Sequence, residues 1–130
     1  MKKPKIKILI TKENSGYSAH CLVKNISINT EGDSFEVLKN NIIEAVNLAF
    51  EDHGIIFNMS DIDLTLDLRS FFAFYNVINA KALSKRIGMN QSLLAQYISG
   101  TKKPSIAQTQ RILNGVQQIG KELSEIRFLL

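Results

Sequence analysis

The most constraining stretch of this chain is NAKALSKRIGMNQSLLAQYISGTKKPS, from Asn79 to Ser105. Two short segments with helical spacing of apolar residues flank a break of three residues, 88–90. Asn79 and Asn90 can each cap the helix that follows, because an Asn side-chain oxygen accepts a hydrogen bond from an unpaired backbone N–H. Ser105 can cap a further helix. This spacing is that of a helix-turn-helix, whose second helix can enter the major groove of DNA.

Within this stretch, LSKRIGMNQSLLAQYISGTKKPS resembles the helix-turn-helix of the phage-repressor (Xre-like) family. The shared pattern is Leu, a small residue, two variable positions, a hydrophobic residue and Gly. A turn, a polar second helix and a G-x-x-x-P-S ending follow. The resemblance implies binding to double-stranded operator DNA. One position departs from the family, because Ala80 stands where a phosphate-binding Gln is common.

Two groups of side chains are expected to contact DNA. The family's base-reading positions fall on Gln91, Ser92 and Gln96 in the second motif helix. A Gln side chain can bond to adenine N6 and N7 together. Phosphate contacts are expected from residues that cap or flank the motif, namely Asn79, Lys81, Asn90, Lys102 and Lys103. A polar surface with a solvated loop is the alternative interpretation of both groups.

Charge is divided unevenly along the chain. Residues 1–68 contain seven Lys and ten Asp or Glu, a net charge of −3, whereas residues 69–130 contain nine Lys or Arg and two Glu, a net charge of +7. From Arg69 to Lys121 there is no acidic residue. This asymmetry predicts two parts with different partners, a basic part for nucleic acid and an acidic part for a cationic molecule. A solvated basic surface is the alternative.

The first half alternates apolar and polar residues in the manner of half-buried strands. Strands are expected at Lys5–Ile10, Tyr17–Val23, Ile26–Asn29 and Asp61–Leu68. Before the last strand, Asp33 can cap a helix that continues to about Asp52. The expected fold class is α+β: a small antiparallel-type sheet with one helix in residues 1–68, then an all-α helix-turn-helix domain in residues 69–130.

The first half also resembles the HicB antitoxin domain. The similar residues are GYSAHCL and, after a short gap, INTEGDSFEVLKNNIIEAVNLAFED. The positions shared with the family are Gly32, Asp33, Ser34, Glu36, Ile42, Glu44 and Ala45. The family's Pro-Gly-Cys is missing, and Lys24-Asn25-Ile26 stands near its place. The resemblance implies a reduced ribonuclease-H-like fold and, as partner, a small basic ribonuclease toxin similar to HicA.

Such a toxin would require an acidic surface on the first half. The carboxylates expected to bind it are Glu31, Asp33, Asp61, Asp63 and Asp67, on or beside the predicted strands. Opposite charge speeds the encounter of two proteins and improves the selection of the partner. The alternative is that these carboxylates only keep the wet face of the sheet soluble.

Apolar residues mark the junction of the two halves and the end of the chain. Aromatic residues crowd positions 71–75, where we expect a core between the halves or, alternatively, a platform for nucleic-acid bases. The tail, residues 127–130, is too apolar to stay in water, which predicts that it is paired or buried. The apolar stripe of residues 105–130 predicts a homodimer or larger assembly, with residues 121–130 contributing.

Catalytic or cofactor chemistry has no recognisable pattern. His20, His53 and Cys21 lack the spacing of a zinc site, and no glycine-rich phosphate loop is present. Glu44 and the aspartates of the last strand could belong to a two-metal nuclease, but the first strand lacks the carboxylate that the ribonuclease-H fold normally carries. We therefore expect no catalytic residue, no metal and no cofactor.

These patterns together predict a DNA-binding antitoxin of a type II toxin–antitoxin system that represses its own operon. One cysteine and the lack of a long apolar run favour the cytoplasm, on the nucleoid, and no membrane partner. The main alternative is a solitary helix-turn-helix repressor whose first half senses a ligand or dimerises. A nuclease of the ribonuclease-H type is the third hypothesis.

Overall fold

The computed structural model describes residues 2–130 and divides the chain into two compact units. The first unit ends at Phe74, and the second runs from Tyr75 to Leu130. The sequence predicted an earlier boundary, after residue 68. The difference arises because the helix Leu68–Phe74 packs on strands of the first unit.

The first unit combines strands and helices in the order that the sequence predicted. In chain order the elements are β1 (Ile6–Lys12), β2 (Tyr17–Val23), β3 (Ile26–Gly32), α1 (Phe35–Ala49), β4 (Ile62–Leu66) and α2 (Leu68–Phe74). The α+β class is thus confirmed. The predicted end of α1 near Asp52 is too late, because Phe50 leaves the helical conformation and a 3-10 turn follows at Glu51–His53.

The sheet has the strand order β3-β2-β1-β4. β2 is antiparallel to both β1 and β3, whereas β4 is parallel to β1. The sheet is therefore mixed, and the prediction of an antiparallel-type sheet is wrong in this respect. The direction of β4 follows from the connections. Two hairpins make β3 run in the same direction as β1. Helix α1 then takes the chain back to the end of the sheet where β3 began, so β4 runs in the same direction as β3 and β1.

The two hairpin turns depend on residues that accept a positive φ. Lys24 and Asn25 form a two-residue turn with φ of 52° and 64°. This matches the type I′ geometry, whose twist suits the flanking strands. Gly16, with φ of 76°, ends the turn between β1 and β2. The turn at Gly16 sets the register that pairs Leu9 with His20 across β1 and β2, and the turn at Lys24 and Asn25 sets the pairing of β2 with β3.

The core of the first unit lies between α1 and one face of the sheet. Alternate residues of β1 and one face of α1 are fully buried: Ile6, Ile8, Ile10, Leu38, Ile42 and Val46. Phe50 and Phe57 pack together below them, with ring centroids 5.3 Å apart. Phe74 of α2 stacks on Phe35 at 4.2 Å, so at least this junction aromatic belongs to the core of the first unit.

The cap of α1 differs from the expected one, and α2 is capped by the residue that precedes it. Ser34, not Asp33, caps α1, since its Oγ accepts a hydrogen bond of 3.2 Å from the backbone N–H three residues later. At α2, the Asp67 carboxylate accepts a bond of 2.7 Å from the backbone N–H of Ser70. Ser70 itself is buried, and its hydroxyl accepts a bond of 2.9 Å from the backbone N–H of Lys12. Ser70 thereby joins α2 to β1.

In the second unit, the secondary structure of the described residues is helical. They are α3 (Ala80–Arg86), α4 (Gln91–Ser99) and α5 (Ile106–Glu125). Their shared core is made by Leu83, Leu94 and Ile112, all almost fully buried. Gly115 lets α5 approach α3, because an added Cβ would collide with Ile87 and lie 3.4 Å from Leu83. No helix within residues 2–130 is both long and apolar enough to cross a membrane.

The apolar end of the chain is exposed. α5 ends at Glu125, and Phe128, Leu129 and Leu130 follow without secondary structure and open to solvent; the side chain of Phe128 is 86% exposed. The prediction of a buried tail is therefore wrong for a single chain. Pairing of this tail with a second copy stays a prediction.

Gly32 offers a test of the packing between β3 and α1. A Cβ at this position would lie 2.6 Å from the backbone nitrogen of Leu38. Gly32→Ala should therefore lower the free energy of unfolding by about 1–3 kcal/mol, as overpacking of a core does. Urea denaturation followed by circular dichroism measures it.

Gly120→Ala is the matched control, because a Cβ at Gly120 meets nothing within 4 Å. This variant should gain up to about 1 kcal/mol from helix propensity. Equal effects of the two substitutions would contradict the close approach of β3 and α1.

Candidate nucleic-acid interface

Both motif helices begin with the asparagine caps that the sequence predicted. The Oδ1 atom of Asn79 accepts a hydrogen bond of 3.0 Å from the backbone N–H of Ala82. The Oδ1 atom of Asn90 accepts bonds from Ser92 and Leu93, at 2.8 and 3.2 Å. Capping uses only the amide oxygen. The Nδ2 donors of Asn79 and Asn90, which were predicted to contact phosphates, therefore take no part in the caps.

Backbone geometry and a buried side chain hold the turn between α3 and α4. Gly88 adopts φ of +67°, in the left-handed region that favours glycine. The backbone N–H of Met89 donates to the carbonyl of Ser84 at 2.8 Å, and the Met89 side chain is only 6% exposed. A turn residue thus contributes to the core, which fixes the direction in which α4 leaves the turn.

Arg111 of α5 holds the same turn from outside. Its Nε and Nη2 atoms donate to the carbonyl of Ile87, at 3.1 and 2.8 Å, and Nη2 also donates to the carbonyl of Gly88 at 2.7 Å. These carbonyls lie at the end of α3, where the helix leaves acceptors without partners and the helix dipole favours a cation. Arg111 therefore positions the turn.

A second arginine joins α3 to α5. Arg86 donates to both carboxylate oxygens of Glu122, at 2.7 and 2.9 Å, and Gln118 donates to the same carboxylate at 3.2 Å. The hydrogen bonds from Arg86 lower the pKa of Glu122, with a smaller contribution from Gln118. The bond to Glu122 raises the pKa of Arg86.

The lysines of the motif remain exposed at its surface. Lys81 lies in the first turn of α3, and Lys102 and Lys103 lie in the loop after α4. The backbone N–H of Lys102 donates to the carbonyl of Gln96 at 3.2 Å, which holds this loop against α4. All three predicted phosphate-binding lysines are thus solvent-accessible on segments next to α4.

The outward face of α4 contains two of the three predicted base-reading residues. Gln91 and Ser92, in its first turn, are exposed, whereas Gln96 is half-buried. Ala95 and Ser99, one and two turns after Gln91, are exposed. Sequence reasoning missed Ala95 and Ser99, although their spacing of four and eight residues from Gln91 was a usable signal.

A shallow groove of about 240 Å³ runs between α3 and α4. Its lining residues are Ala80, Lys81, Gln91, Ala95, Ile98 and Ser99. Ala80, one of these lining residues, is the position where the phage-repressor family that the motif resembles often carries Gln. The groove therefore adjoins Gln91 and one predicted phosphate-binding lysine.

The predicted toxin-binding carboxylates of the first unit do not form one patch. Asp61 accepts hydrogen bonds from the backbone N–H of Asn58 and from Lys3, at 2.9 and 3.1 Å. These bonds lower its pKa, the bond from Asn58 most strongly. Asp63 pairs with Lys5 at 3.4 Å. Local partners thus already engage carboxylates at the start of β4.

The other predicted carboxylates lie elsewhere on the unit. Asp67 caps α2, and Asp33 is exposed between β3 and α1. Glu31 shares the solvent-exposed face of the sheet with Asp63, but the two lie on the outer strands β3 and β4, on opposite sides of β2 and β1. An acidic surface that includes all five is therefore not present.

The exposed face of the sheet carries a row of side chains that sequence reasoning did not select. Strand pairing places Thr65, Leu9, His20 and Asn29 side by side across the four strands. The His20 Nδ1 and Asn29 Oδ1 atoms lie 2.7 Å apart. Leu22, on the same face, is 69% exposed. This face thus offers mixed polar and apolar groups to a partner.

The side chains of His20 and Cys21 do not form a site together. His20 is exposed and Cys21 is buried, on opposite faces of β2, and burial raises the pKa of the Cys21 thiol. Within residues 2–130, no three His, Cys, Asp or Glu side chains come together in a way that could hold a metal ion.

Comparison with models of known protein families finds no match for this chain, and neither curated proteins nor solved structures give one. Function is therefore proposed from the residues, their geometry and the resemblances of the two halves.

The pair of Arg86 and Glu122 makes the second unit sensitive to acid. Because folding lowers the pKa of Glu122, its stabilising effect is complete above the ordinary Glu pKa of about 4.3 and is lost as the pH falls through the lower folded-state pKa. Glu122→Gln should destabilise the unit at pH 7, and the difference from the parent chain should shrink below about pH 4. Thermal unfolding at a series of pH values measures this.

Glu125→Gln on the same helix is the control, because it removes an equal charge without touching Arg86. It should have a smaller effect at pH 7. A Glu122→Gln effect that is the same at every pH would contradict the ion pair.

Proposed function

We propose that this protein is a DNA-binding antitoxin of the HicB type, which neutralises a small basic ribonuclease toxin similar to HicA and represses its own operon from the cytoplasm. The observation that carries the DNA-binding part is the outward face of α4. It exposes Gln91 and Ser92 beside flanking lysines, while Arg111 and Arg86 hold the helices behind it. No acidic residue stands between Arg69 and Lys121 to oppose a polyanion.

Phosphate and base contacts would have different sources on this surface. Lys81, Lys102 and Lys103 supply exposed positive charge, which neutralises phosphates without reading sequence. Gln91 and Ser92 start the helix at its capped N-terminus and carry hydrogen-bonding groups for base edges. Gln96, half-buried, has the weaker support of the three proposed base-reading residues.

The antitoxin part rests on the resemblance of the first half to the HicB domain and on its negative net charge. The exposed face of the sheet supports it as a docking surface, because Leu9 and Leu22 stand among polar groups there. Local ion pairs at Asp61 and Asp63 argue against those two carboxylates as the main contacts. Glu31 and Asp33 remain the accessible acidic candidates.

A solitary repressor is the second candidate function. Its support is that α4 and its lysines would serve DNA binding equally well whatever the first unit binds. In that case the first unit would sense a ligand or dimerise.

Base reading and phosphate binding can be separated by two substitutions. Gln91→Ala should weaken binding to a selected operator duplex by about 1–3 kcal/mol and leave binding to random DNA nearly unchanged. Lys102→Ala should weaken both and lower the salt slope of binding by about one. Fluorescence anisotropy at several salt concentrations measures both effects.

Controls of the same residue types lie on α5. Gln117 and Lys121 are exposed there, and their replacement by Ala should change little. Equal losses on operator and random DNA for Gln91→Ala would refute its role in base reading.

Toxin binding is tested by co-expressing the full chain with a small basic protein, if the adjacent reading frame encodes one. We expect the two to copurify and growth to be rescued. Gln91→Ala should retain rescue and lose repression of an operator–reporter fusion, because the two functions use different units. Repression without any copurifying protein would favour the solitary repressor.

The proposal also includes assembly into a dimer or larger oligomer. One recognition helix reads few base pairs, and helix-turn-helix proteins bind DNA as two-fold pairs. Removing residues 126–130 takes away exposed Ile126, Phe128, Leu129 and Leu130 but leaves Glu122 paired with Arg86. We expect a dimer or larger assembly for the full chain and a shift toward monomer for the truncated one, measured by light scattering. Undiminished dimerisation would place the contact elsewhere.

A further inference from the structure

Strand β3 forms one edge of the sheet in the first unit, and alternate residues along it direct their backbone groups away from the sheet. Because the turn before β3 has two residues, Ile26 bonds to β2 through both its N–H and its C=O, and every second residue after it does the same. The residues in between, Ser27, Asn29 and Glu31, therefore point their N–H and C=O groups outward. A contact from α1 agrees with this direction, since Nδ2 of Asn41 donates to the carbonyl of Glu31 at 2.7 Å.

The outer side of β3 lacks the features that prevent edge strands from pairing. The strand contains neither Pro nor Lys, and it pairs with β2 at every position from Ile26 to Gly32, without a bulge. Within residues 2–130, the outward backbone groups of Ser27 and Asn29 have no hydrogen-bond partner. The other edge strand, β4, is shorter and is charged, because Lys5 pairs with Asp63 at 3.4 Å. Of the two edges, β3 is thus the one open to another strand.

The sequence of β3 is complementary to itself about Asn29, its middle residue. When two copies pair antiparallel across a two-fold axis at Asn29, Asn29 lies opposite Asn29 and Ser27 lies opposite Glu31. No like charges are then opposite each other, an arrangement that would be destabilising. On the other face of the sheet, Ile26 lies opposite Gly32, which has no side chain. The carbonyl of Glu31 has a second lone pair for the new strand.

Helix α1 presents apolar side chains on the side next to this edge. Val37, Asn41 and Leu48 lie at helical spacing on one side of α1, and the bond from Asn41 to β3 shows that this side faces the edge. Val37 is 46% exposed and Leu48 is 68% exposed. A two-fold axis perpendicular to the sheet keeps both copies of α1 on the same face, side by side. Pairing of the strands would then also remove these apolar side chains from water, which favours association.

We propose that β3 pairs with β3 of a second copy of this chain, forming one continuous sheet with both α1 helices on one face. The symmetry of β3 about Asn29 and the apolar side of α1 both favour a second copy as the occupant of this edge. The contact goes beyond the proposed function, because it requires neither DNA nor a toxin. It is also separate from the contact expected at residues 126–130, which belong to the second unit.

Asn29→Cys tests the pairing in the full-length chain. Cα atoms of a hydrogen-bonded antiparallel pair are about 5.5 Å apart, a distance that a disulfide can bridge. With oxidised glutathione, the linked dimer should form at least about tenfold faster than for Thr65→Cys, because thiols held side by side react as if within one molecule. Thr65 is the matched control, an exposed residue of β4 on the same face. Non-reducing gel electrophoresis measures both rates, and the parent chain, whose Cys21 is buried, should stay unlinked.

The register of the two strands gives a second test. Ser27→Cys alone and Glu31→Cys alone should link slowly, because the two copies of either residue would lie about 13 Å apart along the strands. An equal mixture of the two variants should form the mixed disulfide rapidly. Linking of Ser27→Cys alone as fast as the mixture would overturn the two-fold pairing at Asn29.

Further variants test α1 and the tail in the Asn29→Cys chain. Leu48→Gln should slow linking roughly threefold or more, since it returns apolar surface to water in each copy. Val77→Gln, at an exposed apolar residue of the second unit, should leave the rate unchanged. Removal of residues 126–130 should still allow linking, because the two contacts use different units. Circular dichroism checks that each variant is folded.

The outcomes distinguish this contact from other modes of association. Equal linking of Asn29→Cys and Thr65→Cys, or no linking of either, overturns the pairing of β3. An Asn29→Cys rate that Leu48→Gln leaves unchanged overturns the contribution of α1. Loss of linking on removal of residues 126–130 overturns the separation of the two contacts. The proposed DNA and toxin binding are unaffected by these results, which concern only the edge of the sheet.

Discussion

The second unit depends on the contact between α5 and the end of α3. Gly115 has no side chain, so Ile87 can lie directly against the α5 backbone. Arg111 then donates to the carbonyls of Ile87 and Gly88, which the end of a helix leaves without partners. Together these contacts fix the turn from which α4 starts. The outward face of α4 takes no part in these contacts.

Local signals predicted the second unit well. Each cap and the turn involve only residues close together in the sequence, so a short window of sequence is enough to predict them. These residues are the caps Asn79, Asn90 and Ser105 and the turn residue Gly88. In the first unit the same kind of signal predicted the strands, because alternation is also local. The direction of β4 was missed, since it is set by the path of α1 across the sheet and not by β4 itself.

The candidate site was only partly accessible to sequence reasoning. Gln91 and Ser92 were selected because they stand at the base-reading positions of the family that the motif resembles, and both are exposed. Ala95 was overlooked because an alanine carries no chemical signal, although it is exposed one turn after Gln91. Arg111 acts on a turn 23 and 24 residues away, a distance at which no local pattern connects donor and acceptor.

The net charge of the second unit indicates less about its candidate DNA-binding surface than the identity of each charged residue does. Arg86 and Arg111 bind a carboxylate and backbone carbonyls inside the unit, where the planar guanidinium can donate several bonds in fixed directions. The lysines near α4 stay at the surface, where a flexible ammonium suits mobile phosphates as a point charge. For the proposed DNA binding, this division means that affinity from the lysines is independent of sequence and weakened by salt. Discrimination must then come from a few side chains on the short α4, and a second copy of the helix would be the direct way to increase it.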